Sequence, residues 1–455
     1  VELMAREHLL KVGVSGVRGV IGGFLTPGLA ASFAQAFGTY VGQGPVVLGR
    51  DTRTSGPMLT HAVNCGLLAA GCEVIDLGVV PTPTIQIYVA HRKARGGIAL
   101  TASHNPPEYN ALKLFNHEGL FFNQYERSEL LDLFHQSEFT QAGNEAIRTV
   151  RQDVATAPAL HFDRVLRHVD HGRIRRRRFR VAIDGVNGAG SAMSVEFLGT
   201  VLATQLAAIA VDPTQVFPRI AEPRPDTLTD LAALVRRTGA DIGFGQDPDG
   251  DRLAVCDENG TVLDNDDVLA LAVQRALAHT PGDVVVNLTT SATIDDIAAQ
   301  YGRRVHRTPV GEANVVERMQ AVKAAIGGEG SSGGIIFPAV HLCRDSYTAM
   351  ALLLDLMAET GQSVSALVAA LPRYTRLAGK VPFEHGRLGT LMQALAESFP
   401  DAQTNRTDGL KLQWEGRWLH VRSSNTEPLL RLAVEARTPE QAQALFDDAW
   451  RRLTG

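Results

Sequence analysis

Three short stretches hold side chains whose types and spacing suit chemistry. The first is Thr101-Ala102-Ser103-His104-Asn105-Pro106-Pro107, with Lys113 on the segment that returns. A serine hydroxyl is a weak nucleophile and needs such neighbours to become a useful one. The second is Asp247-Pro248-Asp249-Gly250-Asp251-Arg252. Carboxylates at alternating positions repel one another unless a cation sits among them, and an oxygen-rich set of this kind suits Mg²⁺ or Ca²⁺. The third, Arg422-Ser423-Ser424-Asn425-Thr426-Glu427-Pro428, sets a guanidinium ahead of hydroxyl and amide donors in a tight loop, a credible phosphate site. Read alone, each has a plainer alternative: a surface turn capped by Ser and Asn, a solvated acidic turn, a β-turn. An EF-hand competes for the acidic loop and is not the expected reading. Glu258 falls at its twelfth position, but Arg252 stands where that loop needs glycine and the flanks read as strands.

Positioning these groups calls for alternating strands and helices. Ile98-Ala99-Leu100 reads as a buried strand that Asn105-Pro106-Pro107 cannot extend, which leaves Ser103 and His104 at a loop tip. A strand–polar loop–helix unit occurs at 45–70, again at 179–198 and again at 283–299, which predicts three related α/β domains. In the first of these, Arg50 and Arg53 sit beside Asp51 in a packed turn, where salt-bridging is expected. In the second, the glycine loop 184–191 departs from Gly-x-Gly-x-x-Gly spacing and is not read as a nucleotide site. Helical patterns at 390–398 and 439–453 bracket short strands and predict a smaller α+β domain at the end.

Bulk properties narrow the class. At 455 residues the chain fits about three domains on a ~150-residue prior. Hydrophobic residues make up 45% and charged residues 20%, the balance of a globular protein with an ample core. A net charge of −5 gives no reason to expect nucleic acid or an anionic membrane as partner. The basic run 173–180 lacks interleaved aromatics and reads as a solvated lead-in to a strand. No apolar run reaches the ~20 residues of a membrane span, and the first residues carry no apolar leader, so a cytoplasmic protein is expected. Cys65, Cys72, Cys256 and Cys343 lie too far apart for a Cys-x-x-Cys site and are expected to be buried and reduced.

Thr-Ala-Ser-His-Asn-Pro-Pro with Tyr109, Asn110 and Lys113 resembles the phosphoserine loop of the α-D-phosphohexomutase superfamily, and Asp-Pro-Asp-Gly-Asp-Arg matches that family's metal motif completely. Arg422 to Thr426, with Arg431 downstream, resembles its phosphate loop. Gly327-Gly328-Glu329-Gly330-Ser331-Ser332-Gly333-Gly334 resembles its sugar-binding loop, and Arg307 to Glu312 resembles its Thr-x-Val-Gly segment, which contains Gly311. Near the start, Ser15-Gly16-Val17-Arg18-Gly19 is similar to Gly-Thr-x-Gly-x-Arg-Gly, with Val14 or Ser15 where the family has Thr. The similarity spans nearly the whole chain.

That resemblance implies a fold of three α/β domains with mixed sheets plus the α+β domain, around a central active-site cleft, divided as 1–150, 151–256, 257–368 and 369–455. It also implies a set of roles. Ser103 would carry a phosphoryl group and bind one Mg²⁺ with Asp247, Asp249 and Asp251. His104 and Lys113, beside Arg18 and Arg252, would share proton handling and charge stabilisation, in an order left open. Gly311, Glu329 and either Ser331 or Ser332 would meet the sugar. Arg422, Ser424, Asn425, Thr426 and Arg431 would grip the distal phosphate. The reaction would interconvert hexose or hexosamine 6- and 1-phosphates through a hexose 1,6-bisphosphate, in a monomer or homodimer. Phosphoglucosamine mutase is the leading expectation. A phosphomannomutase/phosphoglucomutase comes next, and a Mg²⁺-dependent sugar phosphatase is the remote alternative.

Overall fold

A computed structural model describes residues 10–13, 16–383, 386, 388–423 and 429–454. The chain forms three α/β domains with mixed sheets and an antiparallel C-terminal domain. By internal packing it divides into two compact units. One comprises residues 1–264 and 334–366, the other 265–333 and 367–455.

In the first unit, a seven-stranded sheet runs in the order Leu10–Gly13, Gly16–Val20, Tyr109–Phe115, Gly96–Leu100, Pro45–Arg50, Glu73–Val79, Val150–Gln152. Gly96–Leu100 lies parallel to Pro45–Arg50 and antiparallel to Tyr109–Phe115. All its residues are buried, as expected of a strand covered on both faces, and this explains its unbroken apolar sequence. Ser103 follows the end of that strand, and Lys113 returns on the antiparallel neighbour.

The second sheet of this unit orders Leu253–Cys256, Ile242–Gln246, Arg180–Asp184 and Gln205–Ile209, with only the first of these antiparallel to its neighbour. The acidic loop joins its first two strands. Gly250 turns that loop at φ +67°, where a side chain would be strained. Gly188 is small for another reason: a Cβ there would stand 2.6 Å from the Pro248 carbonyl. The 184–191 glycines thus let one loop lie against the acidic loop, and Ala189 N donates to Pro248 O at 2.7 Å.

The basic run leads into the strand Arg180–Asp184 with Arg175 to Arg178 exposed, as expected, and it does so as the helix His171–Arg177, with Ile174 buried and Arg173 bonded to Asp355 at 2.7 Å. One expectation needs correcting. Cys65 is exposed, on the outer face of the helix Gly56–Ala69, whereas Cys72, Cys256 and Cys343 are buried; none of the four is in a disulfide.

In the second unit, Val305–Thr308, Val284–Asn287 and Ile326–Glu329 run parallel. The C-terminal sheet Thr375–Pro382, Leu429–Ala436, Arg417–Ser423, Leu410–Trp414, Gln403–Asn405 is antiparallel throughout. Leu410, Leu412, Leu419, Val421, Leu430, Leu432 and Val434 alternate onto its core face with Leu445 and Leu453 of the helix Pro439–Thr454. No described helix is long and apolar enough to cross a membrane.

Candidate active site

Ser103 sits in a left-handed backbone conformation, φ +50°, that a non-glycine residue adopts only when its surroundings hold it there. Those surroundings are specific. Ser103 N donates to Thr101 Oγ1 at 2.9 Å, and Thr101 Oγ1 donates to Asp51 Oδ2 at 2.6 Å. The same Asp51 carboxylate takes Arg53 Nε at 3.1 Å. The buried Arg53 guanidinium then donates to the carbonyls of Ser103, Asn105, Pro106 and Tyr109 at 2.6 to 3.0 Å. One arginine therefore gathers the turn into shape. The Asp51–Arg53 salt bridge expected from sequence is present, and it serves to hold the serine loop.

The serine hydroxyl is aimed at the acidic loop, and Ser103 Oγ donates to Asp247 Oδ2 at 2.7 Å. His104 Nδ1 lies 3.5 Å from the same hydroxyl. Lys113 does not bond the serine; its Nζ reaches Asp249 Oδ2 at 2.6 Å and Asp251 Oδ2 at 3.4 Å. Burial favours the neutral amine, but the Asp249 and Asp251 carboxylates outweigh it and hold the Lys113 pKa above its ordinary value. Burial likewise raises Asp249, yet Lys113 and hydrogen bonds from its neighbours keep it well below the carboxylate range. At Asp247, burial together with the two neighbouring aspartates outweighs the Arg252 charge and pushes the pKa up.

The three aspartates are buried, with one oxygen from each lying within 4.8 Å of the others. Asp249 Oδ1 and Asp251 Oδ1 are buried without a hydrogen-bond partner. Leaving such an acceptor dry and unmatched costs about 1–3 kcal/mol. A hard divalent cation at that point would satisfy both oxygens, so the donor set fits Mg²⁺.

Further groups complete the centre. Glu222 joins His104 Nε2 at 3.4 Å to the Arg252 guanidinium, which donates to its other oxygen. Burial, then the Arg252 charge, lowers the His104 pKa to about 4. Arg18 donates to Asn105 Oδ1 at 2.8 Å, bracing the serine turn from its own strand. Thr82, the first residue of the helix Thr82–Arg92, holds Asp249 through its N (2.9 Å to the carbonyl) and its Oγ1 (2.6 Å to Oδ2). Arg344 Nη2 donates to Asp251 Oδ2 at 2.6 Å. Sequence reasoning named neither Thr82, Glu222 nor Arg344. Each is a single residue in an otherwise unremarked segment.

In the second unit Glu329 is buried at the end of its strand, and its Oε1 accepts from Gly311 N at 2.7 Å and from Asn287 Nδ2 at 3.1 Å. Gly311 and Glu329 are thus brought together. Ser331 and Ser332 lie in the short 3₁₀ turn that follows. Ser331 Oγ is 3.4 Å from Thr289 Oγ1, and Ser332 Oγ donates to the Glu329 carbonyl at 3.2 Å. Arg422 and Arg431 stand opposite one another on neighbouring strands, with Arg422 Nη1 3.9 Å from Asp408 Oδ2. Like charges facing across a ladder are unfavourable unless an anion joins them. Ser424, Asn425 and Thr426 lie outside the described residues, as do Val14 and Ser15.

Comparison with known proteins gives a consistent result. Models of phosphoglucomutase/phosphomannomutase match in chain order: alpha/beta/alpha domain I over residues 9–141, domain II over 159–260, domain III over 264–374 and the C-terminal domain over 386–451. A "Phosphoglucomutase/phosphomannomutase" from Thermococcus kodakarensis is 36% identical over 444 residues, 96% of each chain. A "Probable phosphoglucosamine mutase" from Methanopyrus kandleri is 36% identical over 442 residues, again 96% of each. The crystal structure of a phosphoglucomutase/phosphomannomutase family protein from Burkholderia thailandensis is similar at a TM-score of 0.84 and 26% identity, covering 97% of this chain and 96% of that one.

Proposed function

Since this chain belongs to the phosphoglucomutase/phosphomannomutase family and is a phosphohexomutase, we propose that it interconverts hexosamine 6- and 1-phosphates through phosphorylated Ser103, with glucosamine phosphate as preferred sugar. The observation that carries this reading is the Ser103 Oγ–Asp247 Oδ2 contact of 2.7 Å beside two buried carboxylate oxygens that accept no hydrogen bond. A hydroxyl placed there is ready to exchange a phosphoryl group next to a cation.

Ser103, Asp247, Asp249 and Asp251 would hold one Mg²⁺, which when bound neutralises charge on the phosphoryl group in transfer. The chain's own residues do the rest. Phosphorylated Ser103 gives its phosphoryl group to the free hydroxyl of the sugar phosphate, whose proton passes to a protein base. The product is the 1,6-bisphosphate, which also serves as activator. The bisphosphate reorients, and its other phosphoryl group returns to Ser103. His104 and Lys113 divide proton handling and charge stabilisation, with Arg18 and Arg252 adding positive charge. Gly311, Glu329 and one of Ser331 and Ser332 meet the sugar, while Arg422, Ser424, Asn425, Thr426 and Arg431 hold the phosphate that is not reacting.

On this reading the segments 1–150, 151–256, 257–368 and 369–455 supply the phosphoserine, the metal ligands, the sugar contacts and the phosphate grip in turn. The enzyme works in the cytoplasm as a monomer or homodimer, without nucleic acid or membrane.

Glucosamine, mannose and glucose phosphates, each assayed with Mg²⁺ and a trace of the matching bisphosphate, test this directly. The highest kcat/KM is expected for glucosamine phosphate, with one phosphoryl group on Ser103 by intact mass. Chelation should abolish turnover, and added Mg²⁺ should restore it. Release of inorganic phosphate in place of the isomeric sugar phosphate would overturn the mutase in favour of a phosphatase.

A further inference from the structure

Among the described residues two groups donate to the Glu329 carboxylate, and each belongs to a backbone segment that the C-terminal domain also holds. The first group is the Asn287 side chain. Its Oδ1 accepts from Thr289 N at 3.1 Å, Thr289 Oγ1 at 3.0 Å and Thr290 Oγ1 at 2.9 Å. Those three donors fix the amide so that Nδ2 faces Glu329. The next residue, Leu288, offers its carbonyl to Lys411 Nζ at 2.6 Å. The second group is Gly311 N. The preceding residue, Val310, donates its own N–H to Asp408 Oδ2 at 3.1 Å. Both segments that present donors to Glu329 are therefore tied, one residue away, to side chains at the start of the strand Leu410–Trp414.

Neither tie is a casual surface contact. Lys411 is 1% exposed, and its Nζ lies 4.5 Å over the Trp418 ring. Burying a lysine is costly, and this one gives its short bond to a backbone carbonyl, so its position depends on that carbonyl. Burial drives its pKa well below the ordinary value, with Arg307 adding to the effect. Asp408 is fixed in turn, for its carbonyl accepts from the buried His420 Nε2 at 2.7 Å. Its carboxylate oxygen also stands 3.9 Å from Arg422.

We propose that Asp408 and Lys411 are positioning residues for Glu329: they fix the Val310–Gly311 and Asn287–Leu288 backbones that aim its carboxylate. The inference rests on the reading of Glu329 as a sugar-binding residue. Neither side chain touches substrate. Their effect appears in how well the sugar is oriented for transfer, and hence in kcat more than in KM.

The test is a double-mutant cycle in the full chain, with Lys411→Met, Asp408→Ala and Glu329→Gln made singly and in pairs and kcat and KM measured for one sugar phosphate. Lys411→Met is expected to lower kcat about 10-fold, and Asp408→Ala about 5-fold, with KM changed less than about 2-fold. In the Glu329→Gln background each should cost less than about 2-fold more, because the group they aim is already blunted. Equal losses in both backgrounds would overturn the proposal while leaving the reading of Glu329 intact. An active Glu329→Gln enzyme with unchanged constants would overturn that reading, and the proposal with it. Should Lys411→Met fail to fold, Asp408→Ala completes the cycle alone.

Discussion

Among its described residues the first unit holds two hydroxyl–imidazole–carboxylate clusters, and only one of them is a candidate for chemistry. In the buried one, Thr84 Oγ1 is 2.9 Å from His161 Nδ1, and His161 Nε2 is 2.9 Å from Asp345 Oδ2. By distance it is the better triad, since Ser103 Oγ and His104 Nδ1 are 3.5 Å apart. But Thr84 and His161 are 0% exposed, and Asp345 also accepts from Tyr347 N and Thr348 N at the start of the helix Ser346–Thr360. Every group there is matched, and no substrate can reach it. Around Ser103 the balance is reversed: a hydroxyl in a strained conformation, and carboxylate oxygens that no hydrogen bond satisfies. What separates a reactive centre from a structural one here is the remainder after internal bonding, more than the tightness of the bonds.

That contrast can be broken in three places. Ser103→Ala should lower kcat by about 10⁴-fold or more, while the unfolding free energy stays within about 1 kcal/mol. Parallel turnover and denaturant titrations check both halves. Arg53→Lys should lower kcat roughly 100-fold, because a lysine cannot hold the carbonyls of Ser103, Asn105, Pro106 and Tyr109 together and the hydroxyl shifts. A pre-steady-state measurement of Ser103 phosphorylation by the bisphosphate locates that loss in the chemical step. His161→Gln should cost about 2–3 kcal/mol of stability by removing the buried His161 bonds to Asp345 and Thr84, with kcat of the folded enzyme changed less than about 2-fold. A kcat collapse comparable to Ser103→Ala would erase the distinction between the two clusters.

The sequence shows some of this plainly and some of it not at all. Ser103 with its prolines, and the three aspartates with Gly250, are contiguous, so their geometry is set by local backbone rules and can be read off the chain. Asp51 and Arg53 are legible as a salt bridge for the same reason. That this pair clasps residues 103–109 is not, because the contact depends on Pro45–Arg50 and Gly96–Leu100 becoming neighbours in a sheet. Glu222, Thr82 and Arg344 come from three further segments and carry no motif of their own. The alternating core of the C-terminal sheet is readable from period-2 patterning, whereas the helix in the basic run rests on one buried isoleucine among arginines.

The chain leaves its first compact unit after residue 264 and comes back to it only at 334. Translation runs in one direction, so all three aspartates leave the ribosome well before the stretch that supplies Arg344 and Asp345. Until that stretch emerges, Asp251 lacks one of its cations, and His161 waits for a carboxylate 184 positions downstream. The nascent protein must therefore keep a half-built, acid-rich core soluble while the intervening segment is made, and a ribosome stalled near residue 264 would leave a product unable to finish itself.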